Sequence, residues 1–389
     1  MSIFVLMKFP KKLKTKIDFR TQNNSLRRLK KSSNLVDFSS NDYLGFAKSE
    51  EIFNKTHQFL LAKNTQQNGA TGSRLLSGNH FLYEHVESFL STFHQTESAI
   101  IFNSGYDANI GFFSSVPQRG DVILYDEFSH ASIRDGIRLS NAKSFKFSHN
   151  NLEDLEKHIL SVRAQSKTKE TEIYVVTEAV FSMDGDSPDF IKMTKICEKH
   201  DVFLIVDEAH SIGVFGKNGC GLVEELALQK AVFARIVTFG KALGCHGAAI
   251  LGSKNLQEYL VNFARSFIYT TALSPHSLAT IYSAYQKMLQ QAKYSQKLNE
   301  NIAFFKAEVQ KLELKNRFIN SNSAIHCCVI SGNEKVKKIS RKFQEKGFDV
   351  KAILSPTVPE NKERLRFCLH SYNSKEEIRN VLHLLSKFN

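Results

Sequence analysis

The 389-residue sequence has no tryptophan, six prolines and no apolar run near the roughly 18–20 residues that a membrane-crossing helix needs. No membrane span is expected. Its six cysteines, Cys197, Cys220, Cys245, Cys327, Cys328 and Cys368, form no CxxC pair. That argues against a disulfide framework or a zinc site and favours buried thiols in a reducing cytosol. No metal site is expected. The opening MSIFVLMKFPKK has an apolar patch without a preceding basic stretch or a small-residue cleavage site, so it does not read as a signal peptide. Met7 is a candidate start. The motifs GxxxxGK[ST], GxSxG, HExxH and GxGxxG are all missing. The letters DEAH at Asp207–His210 therefore lack the phosphate loop that a nucleotide-driven helicase requires.

Charge is plentiful and uneven. The formal net charge is +13, with basic runs at Lys8–Lys16, Arg27–Lys31 and Lys335–Lys342. Solvated surface explains such runs most simply. The functional alternative is attraction to an anionic partner: nucleic acid, a coenzyme phosphate or an acidic carrier protein. A hydrophobic content of 42% with 23% charged residues is ordinary globular composition and excludes wholesale disorder.

Seven short apolar or β-branched runs follow one another at Ser98–Asn103, Asp121–Tyr125, Ser144–Phe147, Ile173–Thr177, Val202–Asp207, Arg235–Phe239 and Gly247–Gly252. Helix-compatible segments such as Leu152–Ala164 and Phe190–His200 separate most of them. This pattern predicts an α/β fold with a seven-stranded, mainly parallel sheet covered on both faces. Such sheets bind ligands at the carboxyl ends of their strands. After Pro275 a long helical segment, about 277–312, leads into a smaller α/β unit with SAIHCCVI, DVKAIL and RLRFCLH as its strands. The expected organisation is an N-terminal arm and small segment over 1–46, a large ligand-binding domain over 47–275 and a small α/β domain over 276–389.

Two strand ends carry the chemistry. FLIVDEAHS ends at Asp207, with His210 three residues on, and IVTFGKALG ends at Thr238 and Lys241. Asp207 and Lys241 stand 34 residues apart, about one βαβ unit. Adjacent strand ends then hold a carboxylate and an amine on opposite sides of one ligand. A pyridoxal 5′-phosphate ring requires that pair: a lysine for the aldehyde carbon and a carboxylate for the ring nitrogen. Desolvation lowers an ammonium pKa and frees the amine as a nucleophile. FNSGYDANIG is a strand, a small-residue turn and a helix start, so N–H groups near Ser104, Gly105 and Tyr106 face a phosphate. His130, after the run ending at Tyr125, is placed either to stack on a flat ring or to serve as a hydrogen-bonded loop histidine.

The ordered set NDYLG, TGSRLLSGN, NSGYDAN, SHAS, TEAVFSMDGD, VDEAHSIGVFG, TFGKALG, YTTALSP and SPTVP resembles the α-oxoamine synthase family of fold-type-I pyridoxal-phosphate enzymes over nearly the whole chain. FSMDGDSPDF and SPTVPENKERLR are most similar to the branch that condenses L-alanine with a pimeloyl thioester to make 8-amino-7-oxononanoate for biotin. The resemblance implies that Lys241 carries the cofactor and moves the substrate Cα proton, and that Asp207 pairs with the ring nitrogen. It implies that His130 stacks on the ring, that His210 and Ser182 reach its phenolic oxygen, and that Gly105, Tyr106 and Thr238 hold the phosphate. Thr270 and Thr271 resemble a segment that reaches the phosphate of the other subunit, which implies a homodimer with shared sites. Asn41 and Arg366 match positions near the amino-acid carboxylate; Arg27 and Thr357 match positions near the acyl substrate. The acyl carrier is coenzyme A or an acyl carrier protein. The alternatives are the branches using glycine with acetyl, glycine with succinyl or serine with palmitoyl thioesters. Two readings of other classes are a nucleic-acid-binding protein and a cofactor-free structural relative.

Overall fold

The computed structural model describes residues 8–23, 25–27, 29, 34–166 and 171–388. The candidate start Met7 and parts of the Arg27–Lys31 run lie outside them. Twelve strands are present among the described residues: β1 (Val36–Asp37), β2 (Ser98–Phe102), β3 (Val122–Asp126), β4 (Lys143–Phe147), β5 (Ile173–Glu178), β6 (Phe203–Asp207), β7 (Ala234–Thr238), β8 (Ala248–Gly252), β9 (Ile325–Val329), β10 (Phe348–Asp349), β11 (Lys351–Ile353) and β12 (Arg364–Cys368).

β2 to β8 form one seven-stranded sheet in the order β2-β8-β7-β6-β5-β3-β4. Its seven members match the seven apolar runs. β8 alone runs against its neighbours, pairing antiparallel with both β2 and β7. β5 is buried throughout, and Leu204–Asp207 of β6 are buried as well, as expected of strands covered on both faces. A three-stranded antiparallel sheet, β11-β12-β9, and a short parallel pair, β1-β10, make up the rest.

Helix starts follow local chemistry. Ser49, Ser104, Asn151, Ser253 and Ser274 each accept a backbone N–H of the helix they open. Ser374 and Glu377 close a reciprocal capping box. The helical stretch expected over about 277–312 is two helices, Pro275–Gln290 and Lys293–Lys311. The break falls at Gln291, whose backbone leaves the helical region at φ −132° and ψ 69°. Its side-chain amide reaches back to Glu51 at 2.9 Å, and Lys287 meets the same carboxylate at 3.1 Å. A tertiary anchor, not a glycine or proline, ends the helix.

Arg235 is the largest fully buried side chain. Its Nε donates to Glu208 Oε2 at 2.6 Å, and its two amino groups donate to the carbonyls of His94 and Cys220. The second acid of DEAH is thus engaged by an internal cation.

Candidate active site

The carboxyl ends of β5, β6 and β7 open into one cavity of about 280 Å³. β5 brings Glu178, β6 brings Asp207, and the turn after β7 brings Thr238 and Lys241. In-register pairing sets Glu178 beside Asp207. The loop after β3 adds His130, and the turn between β2 and the helix Gly105–Ser115 adds Gly105 and Tyr106. Asn41 also lines the cavity. Eight of the residues singled out from sequence meet here: Asn41, Ser104, Gly105, Tyr106, His130, Asp207, Thr238 and Lys241.

Asp207 is fixed from two sides. Asn109 Nδ2 donates to its Oδ2 at 2.9 Å, and the Ala209 N–H donates to Oδ1 at 2.9 Å. Glu178 Oε1 accepts the His130 N–H at 2.6 Å, and His130 Nδ1 lies 2.7 Å from Ser132 Oγ. Burial and the neighbouring Asp207 charge push the Glu178 carboxyl up to about 8. Burial also lowers the Lys241 amine to about 8, although Asp207 and Glu178 both pull the other way. One amine therefore shares a poorly solvated pocket with two carboxyl groups, and its neutral form is within reach near neutral pH.

A second layer stands behind the cavity. His210 Nδ1 lies 2.6 Å from the Tyr43 hydroxyl, and burial drives its imidazole well below the ordinary histidine range. Arg366 Nε donates to the Ser182 carbonyl at 2.7 Å, and its Nη2 donates to Asn41 Oδ1 at 2.9 Å. His210, Ser182 and Arg366 are thus tied to the site without lining the cavity. Thr270 and Thr271 lie elsewhere, where Asn103 Nδ2 donates to Thr270 Oγ1 and to the Thr271 carbonyl. Arg27 and Thr357 line a different groove of about 740 Å³ with Arg20, Lys337, Arg341 and Lys351.

Several contributors escaped the sequence reading. Glu178 occupies the strand-end position in TEAVFSMDGD that Asp207 occupies in its own motif, which was the available signal. Asn109 and Ser132 lie in NSGYDAN and SHAS, yet nothing local announces that they meet. Tyr43 reaches His210 only through tertiary contact.

The residues fit a phosphate-bearing pyridine. Thr238 Oγ1 is buried without a partner. A Cβ on Gly105 would stand 2.6 Å from Thr238 Cγ2, so only glycine leaves the backbone open there. Ser104 caps the following helix, whose N-terminus opens toward the cavity.

The profile described as aminotransferase class I and II matches residues 33–385. The chain belongs to that family. An 8-amino-7-oxononanoate synthase of Emericella nidulans is 39% identical over 375 residues, covering 91% of this chain and 89% of that protein. A solved S. paucimobilis serine palmitoyltransferase, with PLP and myriocin bound, is 26% identical at a TM-score of 0.85, over 97% of this chain and 96% of that one. A Francisella tularensis 8-amino-7-oxononanoate synthase structure is 29% identical at a TM-score of 0.76, over 92% of this chain and 98% of that one. The expectation of an α-oxoamine synthase with a fold-type-I architecture and pyridoxal-phosphate dependence is borne out, and within the aminotransferase class I and II family this chain is an acyltransferase.

Proposed function

We propose that the enzyme condenses L-alanine with a pimeloyl thioester, releasing CO₂ and free thiol and leaving 8-amino-7-oxononanoate, a step of biotin biosynthesis. The observation that carries this reading is the cavity holding Lys241, Asp207, His130, Gly105 and Thr238 together, backed by Arg366. The names of the relatives support the substrate pair.

When bound, pyridoxal phosphate supplies an aldehyde carbon that captures amines and a ring that takes up the electrons of a broken Cα–H bond. Asp207, held by Asn109 and Ala209, would keep a proton on the ring nitrogen. His130 would stack against the ring, while His210 and Ser182, in the layer behind the cavity, would serve the side of its phenolic oxygen. Gly105, Tyr106 and Thr238 would receive the phosphate. Lys241 would hold the cofactor and, as a neutral amine, would be placed to take the proton from the alanine Cα. Arg366, held just behind the cavity by Ser182 and Asn41, would turn toward the alanine carboxylate and fix rotation about its N–Cα bond. Arg27 and Thr357 receive the far end of the acyl chain.

Thr270 and Thr271 complete the phosphate site of a second copy, making a cytoplasmic homodimer with shared sites. Coenzyme A and acyl carrier protein both serve as candidate acyl carriers. The division into 1–46, 47–275 and 276–389 belongs to the same proposal, supported by the separate large and small sheets.

Serine with a palmitoyl thioester is the second reading, favoured by the serine palmitoyltransferase neighbours. The cationic groove around Arg27, Lys337, Arg341 and Lys351 argues for an acyl chain ending in a carboxylate, which palmitoyl lacks. A substrate matrix decides: alanine, glycine and serine against pimeloyl, acetyl, succinyl and palmitoyl thioesters, with product mass measured. Alanine with pimeloyl is expected to lead, and a preference for serine with palmitoyl would overturn the proposal.

A further inference from the structure

Three loops at the carboxyl edge of the large sheet meet at His149. Asp126 ends β3, His149 follows β4 by two residues, and Asp186 lies in the turn after β5. His149 Nδ1 stands 2.9 Å from Asp126 Oδ1, and its Nε2 stands 2.9 Å from Asp186 Oδ2. A neutral imidazole has one N–H. A ring with both nitrogens against carboxylates therefore carries two protons and a positive charge. The ring stacks on Phe128 with centroids 4.3 Å apart and meets Phe181 edge-on at 4.5 Å.

Each carboxylate holds more than the histidine. Buried Asp126 also accepts the Phe128 N–H at 2.8 Å and the Asn150 N–H at 2.9 Å. Asp186 accepts Asn150 Nδ2 at 2.9 Å, and its carbonyl accepts the Phe181 N–H at 3.0 Å. Glu127 accepts the His149 backbone N–H, and nearby Asp184 is paired with Arg364. His149 is the cation between Asp126 and Asp186. Two site residues hang from this knot: His130 lies two positions beyond Phe128, and Ser182 follows Phe181.

We infer that His149, as an imidazolium bridging Asp126 and Asp186, is a positioning residue that fixes the loop of His130 against the turn of Ser182. The inference rests on the reading of His130 and Ser182 as cofactor contacts. Without the bridging charge the two carboxylates repel, and the walls they anchor lose their mutual register.

The test uses the holoenzyme and the variants His149→Gln, His149→Gln/Asp186→Asn and His130→Ala. Loss of register in His149→Gln is expected to weaken pyridoxal-phosphate affinity about tenfold or more and to reduce the visible circular dichroism of the bound cofactor. The double variant, with no second carboxylate to repel, is expected to recover part of both. In a His130→Ala background, His149→Gln is expected to add less than its full effect, because it acts partly through His130. A thermal midpoint that falls while affinity and circular dichroism stay unchanged shows a merely structural role and overturns the inference, as does full additivity with His130→Ala. The cofactor-free protein gives an independent reading. Nitrogen-15 spectra are expected to show both His149 ring nitrogens protonated above neutral pH, with the amide signals of His130 and Ser182 both displaced in His149→Gln. A neutral ring, or a displacement confined to one of the two, overturns the inference even if the cofactor assignment fails separately.

Discussion

Lys241 and Glu178 face each other across a pocket that solvates neither charge well, and each can be tested alone. Lys241→Ala is expected to abolish turnover and the borohydride-reducible linkage, with wild-type label recovered on the Lys241 peptide by mass spectrometry. Label on another lysine, with turnover intact, would contradict its role. Glu178 has its carboxyl pushed up to about 8, so it is mostly neutral at pH 7. Glu178→Gln keeps an acceptor for the His130 N–H and should stay near wild-type activity at neutral pH, diverging only as the wild-type carboxyl ionises above about 8. Glu178→Ala strands that N–H and is expected to cost about 1–3 kcal/mol in cofactor affinity or stability. A pH–rate profile separates these outcomes; a Gln variant as impaired as Ala at neutral pH would show that the charge itself is needed. Lys241 and Asp207 were legible in the sequence because each sits at a strand end in a distinctive motif. Glu178 is not, because the apolar run ends at Thr177, one residue before the strand does. Asn109 was hidden because its partner Asp207 lies 98 positions away.

The turn from β2 into the helix Gly105–Ser115 is the element on which phosphate binding depends. A methyl at position 105 would press on Thr238 Cγ2 at 2.6 Å, forcing β7 and the helix start apart. Gly105→Ala is expected to weaken cofactor affinity strongly. Thr238→Ser removes the obstructing methyl but keeps the hydroxyl. Adding it to Gly105→Ala is therefore expected to restore part of the loss, a coupling that a double-mutant cycle on the dissociation constant measures. Two independent losses would instead place the damage outside this contact. Six of the seven large-sheet strands are legible because buried strands are short apolar runs bounded by turns, whereas the edge strand β4 is exposed up to Phe147 and shows in the sequence only through its alternating Phe145 and Phe147. The antiparallel direction of β8 was not, since a buried strand reads the same either way. The break at Gln291 was equally silent: it is set by Glu51, 240 positions earlier.

Across the whole molecule, histidines folded into places that exclude their charge weaken the fold on the acid side, alongside carboxylates such as Asp37 and Glu51 whose pKa values are lowered by their partners. His94, His210 and His326 are all buried with their pKa values depressed by desolvation, His326 to about 3. A base whose folded pKa lies below its unfolded value binds fewer protons when folded. Its neutral burial is therefore fully tolerated above the unfolded value of about 6.5 and becomes destabilising as pH falls below it. Each such histidine removes about 1.4 kcal/mol per pH unit over that window, until its folded value is reached. His149 works in the opposite sense: Asp126 and Asp186 overcome burial and raise it to about 10, so its contribution is complete below about 6.5 and fades as pH rises through 10. His326 offers the cleanest test of the acid limb. It lies on β9, away from the cavity, its ring tilted by 31° against Phe305 with centroids 4.6 Å apart, and its Nε2 has no hydrogen-bond partner. Phenylalanine fills nearly the same space and carries no proton. His326→Phe is expected to leave turnover unchanged and to flatten the acid limb by one proton, so that its advantage over wild type grows steadily from pH 6 down to pH 4 by about 1.4 kcal/mol per unit. Urea unfolding of the cofactor-free protein across that range measures the slope directly. Parallel curves for the two proteins would mean that His326 takes up its proton while still folded, and the burial argument for it would be wrong.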